Sequence, residues 1–320
     1  MSRRLEIIYG YTVTKTTANK IKPVLATVLL ALLFVFMGVW VRMMDGSFAP
    51  WQQVYLRMFL AGLIALVVFR RSFSVDFLRQ IRGRDWAMYG LRGFLANTIG
   101  VGFFTIAILN ADLSTVSFVS SLPILGILGW VMFREKLRLA ALPFIVISVV
   151  GLAMLTGLRL DSLQVGWGET AAIIGMLGFD IGYMLSRYHP KSFSNYQNTT
   201  LILLLTWIPL FIVSMALHEP VIPQHISMSG WIGLGMSSVL NVVGLFLINY
   251  VFGHLKAYVV GNLLLLEGVF ATVIGFCLYG EIPSVMALAG AAVILGCAYA
   301  ISAIDARGDR LEAAQLEGVS

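Results

Sequence analysis

The chain has 320 residues, of which 59% are hydrophobic and 12% charged, and its mean hydropathy is +0.88. A soluble domain carries nearer ~25% charged residues, so this composition describes a polytopic membrane protein and excludes a soluble enzyme with a membrane anchor. The net charge of +6 is then no nucleic-acid footprint, because in a membrane protein the placement of Lys and Arg reports orientation.

Residues 1–21 are polar and basic and read as a cytoplasmic N-terminal tail. The run Pro23–Val41 follows, and it is too long for a signal-peptide core and lacks a small-residue cleavage site, so it is the first span. Further apolar runs predict helices at roughly 51–69, 86–108, 112–133, 138–157, 166–186, 197–217, 230–251, 257–279 and 283–304. They are helices rather than barrel strands because the runs are continuous instead of alternating, and lipid tolerates no open sheet edge. Cys277 and Cys297 both lie inside such runs, so no disulfide, metal or cofactor framework is expected.

Ten spans with a cytoplasmic N-terminus put 18 of the 22 Lys and Arg residues on the cytoplasmic side. Only Arg42 and Arg159 fall in outer loops, and Arg57 and Arg92 lie within spans. This bias predicts both termini in the cytoplasm. Arg57 and Arg92 are expected to snorkel toward the nearer interface.

Five spans per half is odd, so similar halves would insert upside down relative to each other. Residues 22–158 form the first expected repeat, 159–305 the second, and 306–320 a short cytoplasmic tail. A weak internal likeness supports this. The fourth span places Glu135 twelve residues after Pro123, and the ninth places Glu281 thirteen after Gly268. Inverted repeats with a site near mid-membrane are a transporter signature. Glu135 is expected to superpose near Glu281.

The stretch LEGVFATVIGFCLYGE, residues 266–281, resembles the E-P-V-F-A signature of the EamA family within the drug/metabolite transporter superfamily. LRGFL in the third span, SSLPILGILGWVMFREKL in the fourth and GETAAIIGMLGFDIGYMLSR in the sixth are similar to the same family. Gly268 departs from the proline that often follows the glutamate, which puts an inherited helix break in question. The resemblance implies an all-α integral membrane fold of ten transmembrane helices in two inverted five-helix repeats around a central cavity. It also implies export of amino acids, amines or other small metabolites.

Glu267 lies near the middle of the ninth span, which at ~1.5 Å per residue is long enough to cross a ~30 Å hydrocarbon core. A carboxylate there costs ~2.5–3.5 kcal/mol on insertion scales, so it is either a functional group or a structural carboxyl bonded to a neighbouring helix. In the sixth span Gly175, Gly178 and Gly182 share one face and Asp180 lies opposite, with Tyr183 within about 60° of it. If the glycines pack, Asp180 faces either a cavity or a buried partner. Asn97 sits between Gly93 and Gly100, and Asn241 between Ser237 and Gly244, as interhelical glue or as substrate ligands. Ser114, Ser117 and Ser121 form a stripe in the fourth span, and Ala292, Gly296 and Ala300 a small-residue ladder in the tenth; both read as packing faces. Trp40 is part of an aromatic belt or a lid over the outer mouth.

All four histidines fall in or beside loops, and there is no HExxH, GxSxG or phosphate loop, so an enzyme is not expected. The expectation is a carrier in a bacterial inner membrane that moves a small zwitterionic or cationic metabolite. Asp180, Tyr183, Glu267, Asn97, Asn241 and Trp40 are its candidate substrate ligands. Its expected partners are that substrate, the lipid bilayer and protons taken up by a deep carboxylate. Uptake of a nucleoside-like metabolite or vitamin, and a channel or receptor-like module, are the alternatives.

Overall fold

The computed structural model describes Lys20 to Glu317 except residues 45, 74, 111–115, 117, 120, 158–165, 191, 222, 224 and 281. Residues 1–19 of the expected N-terminal tail, and Glu281, Ser114 and Ser117, lie outside the described residues.

Every regular element among the described residues is helical, as a chain that must satisfy its own backbone in lipid requires. Among the described residues, seven helices are long and apolar enough to cross a membrane. The expected third span falls in a helical stretch from Gly83 to Asn110 that carries Arg84, Asp85 and Arg92. The fourth is described as Leu125–Phe133, and the sixth as Trp167–Met184, whose Glu169 and Asp180 lower its hydropathy. At the other end, the helix Val285–Glu317 runs on through the residues expected to be a tail.

The chain divides into two compact units. Among the described residues, one gathers Phe36–Thr105 and Leu177–Tyr250; the other gathers those before Phe36, Ile106–Met176 and those from Val251 on. Each unit therefore draws on both halves of the sequence.

In the first unit, α1 (Pro50–Val68) lies along α2 (Asn195–Ala216). Pro50 starts α1, where its missing N–H costs nothing. Val54, Met58, Ala61 and Ala65 recur at helical spacing and meet Leu203 and Leu210 of α2. The ends of both helices are tied. Glu219, just past α2, accepts from the amides of Trp51 at 3.2 Å and Gln52 at 2.8 Å, a carboxylate on the positive end of α1. Tyr55 Oη donates to the Val221 carbonyl at 2.8 Å. At the opposite end, Ser194 and Gln197 form a reciprocal cap on α2, and Gln197 Nε2 donates to the Ser72 carbonyl at 2.7 Å. The start of each helix thus sits at the end of the other, so α1 and α2 run antiparallel.

In the second unit, α3 (Leu142–Thr156) lies along α4 (Val285–Glu317). Glycine makes the contact possible. A Cβ on Gly290 would stand 2.5 Å from the Gly151 carbonyl and 2.6 Å from the Leu155 amide, so the two backbones touch. At the other end of α3, Arg138 lies flat against Gly308. This pair is antiparallel too. The small-residue ladder expected to pack does not do so: Ala292 and Gly296 are exposed, and nothing among the described residues comes within 4 Å of a Cβ on Gly296. The buried face of α4 runs instead through Gly290, Ile294, Cys297, Ile301 and Asp305.

Asp305 and Asp309 gather three cations from three other segments. Lys20 contacts both aspartates. Lys256 reaches Asp305 at 2.8 Å and Asp309 at 3.1 Å, and Arg138 reaches Asp309 at 2.6 Å. Tyr258 Oη donates to Asp305 at 2.8 Å. Burial by itself would lower the Lys256 pKa, but Asp305 and Asp309 outweigh it and hold it above its ordinary value.

Candidate functional site

Two interrupted helices carry candidate residues. The first is the stretch Gly83–Asn110, where Phe94–Val101 is wound as a π-helix between two α-helical pieces. Such segments are rare and concentrate at functional sites. Asn97 lies within it, half-buried. The second is the expected ninth span, built as α5 (Ala257–Leu264) and α6 (Leu266–Tyr279) with a break at Leu265. The Leu265 amide donates to the Asn262 carbonyl at 3.3 Å, and the Gly268 amide to the Leu265 carbonyl at 3.2 Å. Both bonds skip three residues rather than four, so the helix tightens and breaks without a proline.

The two halves of that span differ. Seven residues of α5, Ala257 to Leu263, are buried. Its first amide, on Ala257, donates to Glu135 Oε2 at 2.8 Å, and Asn262 Nδ2 donates to Ser148 Oγ at 2.8 Å. Along α6, by contrast, Val273, Phe276 and Leu278 are exposed. Glu267 stands in the first turn of α6, where the helix dipole favours a negative charge. No hydrogen bond or ion pair holds it among the described residues.

Asp180 lies on α7 (Trp167–Met184) and is 9% exposed. The glycine face packs: a Cβ on Gly178 would stand 2.8 Å from the Gly100 amide and the Leu95 carbonyl, and one on Gly182 would stand 2.7 Å from Ala96 Cβ. That face is closed against the π-helical segment, and Asp180, two residues from each glycine, projects from the other side. It too has no hydrogen-bond or ion-pair partner among the described residues. Tyr183 is half-buried with its ring 5.9 Å from that of Phe179.

Asn241 lies on α8 (Met228–His254) and spends its amide on its own helix, donating to the Ser237 carbonyl at 2.9 Å. Trp40 is half-buried, and its carbonyl would stand 2.8 Å from a Cβ on Gly233, a close approach of two helix backbones.

The two arginines do not snorkel. Arg92 is 1% exposed. Its Nε donates to the Gly182 carbonyl at 3.0 Å, and its Nη1 meets Asn249 Oδ1 at 2.6 Å and His189 Nε2 at 3.1 Å. Gly182 lies in the last turn of α7, so the guanidinium caps the negative end of that helix, which offsets its burial. Arg57 is 7% exposed and its Nε is enclosed with no acceptor. The expectation failed because helix–helix packing, not distance from the interface, decides whether a long side chain can leave the protein interior. The buried ionisable groups are therefore of both signs, Arg57 and Arg92 as well as Asp180.

These features define a multi-pass helical membrane protein with interrupted helices and ionisable groups that have no partner among the described residues. The chain belongs to the EamA-like transporter family, whose description matches it twice, over residues 21–157 and 166–303. It is therefore a membrane protein of the drug/metabolite transporter type built from two sequence repeats. A solved crystal structure is similar to it with TM-score 0.72 at 20% identity, covering 92% of this chain and 100% of that one; at that identity the likeness concerns the fold. No curated protein matches the chain.

Proposed function

We propose that this protein is a secondary carrier that moves a small zwitterionic or cationic metabolite by alternating access between two inverted five-helix repeats, in the direction of export. The observation that carries this reading is the break at Leu265, placed two residues before Glu267, which has no partner among the described residues, in the middle of an expected span. Discontinuous helices with charged groups at the break are how many carriers build a site at mid-membrane.

Two further observations support it. The helices in equivalent positions of the two matched segments, α1 with α2 and α3 with α4, run antiparallel, as inverted repeats require. Asp180 stands on the far side of a packed glycine face without a partner among the described residues, ready for a cationic group or a proton. In this reading Asp180, Tyr183 and Asn97 of the first unit are substrate ligands, and Glu267 of the second unit binds substrate or a proton. Trp40 lines the outer end of the substrate path, and Asn241 contributes more to packing, since its amide is already bonded. Ten spans, cytoplasmic termini and the bacterial inner membrane are the topology that goes with the charge bias.

Saturable counterflow in proteoliposomes loaded with single amino acids or amines tests the proposal. Accelerated exchange of labelled substrate by unlabelled substrate inside identifies a carrier. Linear, unsaturable flux would instead identify a channel and sink the carrier reading.

A further inference from the structure

The connection between α1 and the helical stretch that begins at Gly83 is strongly basic. Residues 70–86 contain five arginines (Arg70, Arg71, Arg79, Arg82 and Arg84) against two aspartates, Asp76 and Asp85. Asp85 is engaged locally: its Oδ2 accepts from the Arg82 amide at 2.9 Å, at the start of the helix that follows. All five arginines are exposed. Arg70, Arg71 and Arg82 make no side-chain ion pair among the described residues.

The segment is pinned to its own unit. Phe77 and Ile81, four residues apart, are buried and pack with Tyr89, Phe193, Leu201 and Ile202. The Phe77 and Phe193 rings meet edge-on at 4.9 Å, and Gln197 of α2 holds the Ser72 carbonyl at 2.7 Å. With that apolar side fixed inward, Leu78 and Arg79 of the short helix Val75–Gln80 remain outside. Leu78 is 47% exposed and Trp86, at the far end of the segment, 40%. Exposed apolar groups interleaved with arginines, between two expected spans, suit the boundary of headgroups and acyl chains, where Trp is enriched.

The second unit uses its cations differently. Lys20, Arg138 and Lys256 are each paired with Asp305 or Asp309. Arg70, Arg71 and Arg82 have no such aspartates and are left to groups outside the protein.

We propose that residues 70–86 are a docking surface for anionic phospholipids of the nearest leaflet, with the arginines on the phosphates and Leu78 and Trp86 in the headgroup–acyl boundary. Guanidinium forks match phosphate oxygens bidentately. Clusters of about four to eight basic residues directly beside a membrane helix attract acidic lipids. Arg70 follows the last residue of α1 by two positions, about 7 Å of chain at most, so headgroups are within its reach. A soluble acidic protein or free phosphate would satisfy the charge, but neither would use Leu78 and Trp86. The bound lipid holds the segment down on the Phe77–Phe193 contact, and with it the joint between α1 and the interrupted stretch Gly83–Asn110. The proposal concerns the surrounding lipid, so it is independent of the carrier reading.

The test uses purified full-length protein in a neutral detergent. Its melting temperature is titrated with phosphatidylglycerol or phosphatidylcholine of identical acyl chains, with inorganic phosphate, and with poly-glutamate. Phosphatidylglycerol should stabilise the protein at least ~tenfold more potently than phosphatidylcholine, and ~0.5 M salt should erase most of that preference. Each arginine near an anionic surface is worth roughly fivefold in affinity. Arg82→Gln alone should therefore weaken the preference, and Arg70→Gln, Arg71→Gln and Arg82→Gln together should abolish it. Arg307→Gln with Arg310→Gln, at exposed positions of α4, should leave it intact. Equal stabilisation by the two lipids, an unchanged preference in the variants of residues 70–82, or its loss in the α4 variant would each overturn the proposal. Inorganic phosphate as potent as phosphatidylglycerol would make the ligand a free anion, and poly-glutamate acting in its place would assign the surface to an acidic protein; either result rejects the lipid. The lipid comparison and the single Arg82→Gln variant keep the proposal open to refutation if the triple variant fails to insert.

Discussion

The Glu135 carboxylate accepts a 2.8 Å hydrogen bond from the amide of Ala257, 122 residues away in sequence. It closes the N-terminus of the half-helix that leads to the break at Leu265. Glu135→Ala leaves that amide and its helix end uncapped and should cost about 1 kcal/mol of stability, while Glu135→Gln should lose only part of it. Thermal melts of the two variants in one detergent check the order; equal melts for Ala and wild type would remove the cap from the account.

Gly290 and Gly296 predict opposite outcomes for the same substitution. A Cβ at Gly290 meets backbone atoms at 2.5 and 2.6 Å that cannot move aside, so Gly290→Ala should destabilise by about 2–3 kcal/mol. A Cβ at Gly296 meets nothing among the described residues within 4 Å, so Gly296→Ala should be neutral or stabilise by up to about 1 kcal/mol through helix propensity. Melting temperatures of the pair decide it.

Arg92→Lys keeps the charge but replaces a planar fork with a point donor. A single ammonium cannot reach Gly182, Asn249 and His189 together, so stability should fall by about 2 kcal/mol with no change in net charge. A melt unchanged from wild type would return Arg92 to the role of a snorkelling side chain.

Asp305 is the buried centre of the ion cluster, and Asp305→Asn leaves Lys20 and Lys256 with less compensation. Because both lysines are partly exposed, the loss should be about 2 kcal/mol, below the ~3–5 of a fully buried pair. The Lys256 pKa is raised in the folded state. Its contribution is therefore complete below the unfolded value of about 10.4 and is lost only as pH rises through the higher folded value. Melts of wild type and Lys256→Met should differ by a constant amount from about pH 6 up to about pH 10 and converge only as pH rises through the folded value above about 10.4.

Glu267→Gln keeps the shape and hydrogen bonding of the side chain but cannot ionise. It should insert and elute as wild type, since no partner among the described residues is lost, yet lose transport or its pH dependence in proteoliposomes. Transport equal to wild type at every pH would make Glu267 a structural residue.

Much of this protein is legible in one dimension. The apolar runs, their length and the fall of Lys and Arg along them specify a multi-pass helical membrane protein, because lipid leaves the backbone no choice but to satisfy itself within each run. The packing of Gly178 and Gly182 is legible for a similar reason: helical periodicity is local, and a smooth face admits a backbone. Other features are not. Arg57 and Arg92 look alike in the sequence, and so do the ladder through Gly296 and the contact at Gly290. What separates them is whether a neighbouring helix, far away in sequence, brings a carbonyl or a backbone to that face. The break at Leu265 has no proline or glycine at its centre to announce it. It follows an α5 that is buried along its length, bonded to Glu135 and Ser148 and followed by a half-helix with fewer contacts. The sequence by itself determined that this is a helical protein with several segments apolar enough to cross a membrane, because that depends on each segment's own transfer from water to lipid. Only the tertiary structure decided which charges are answered and which are left open, because that depends on groups that meet through space.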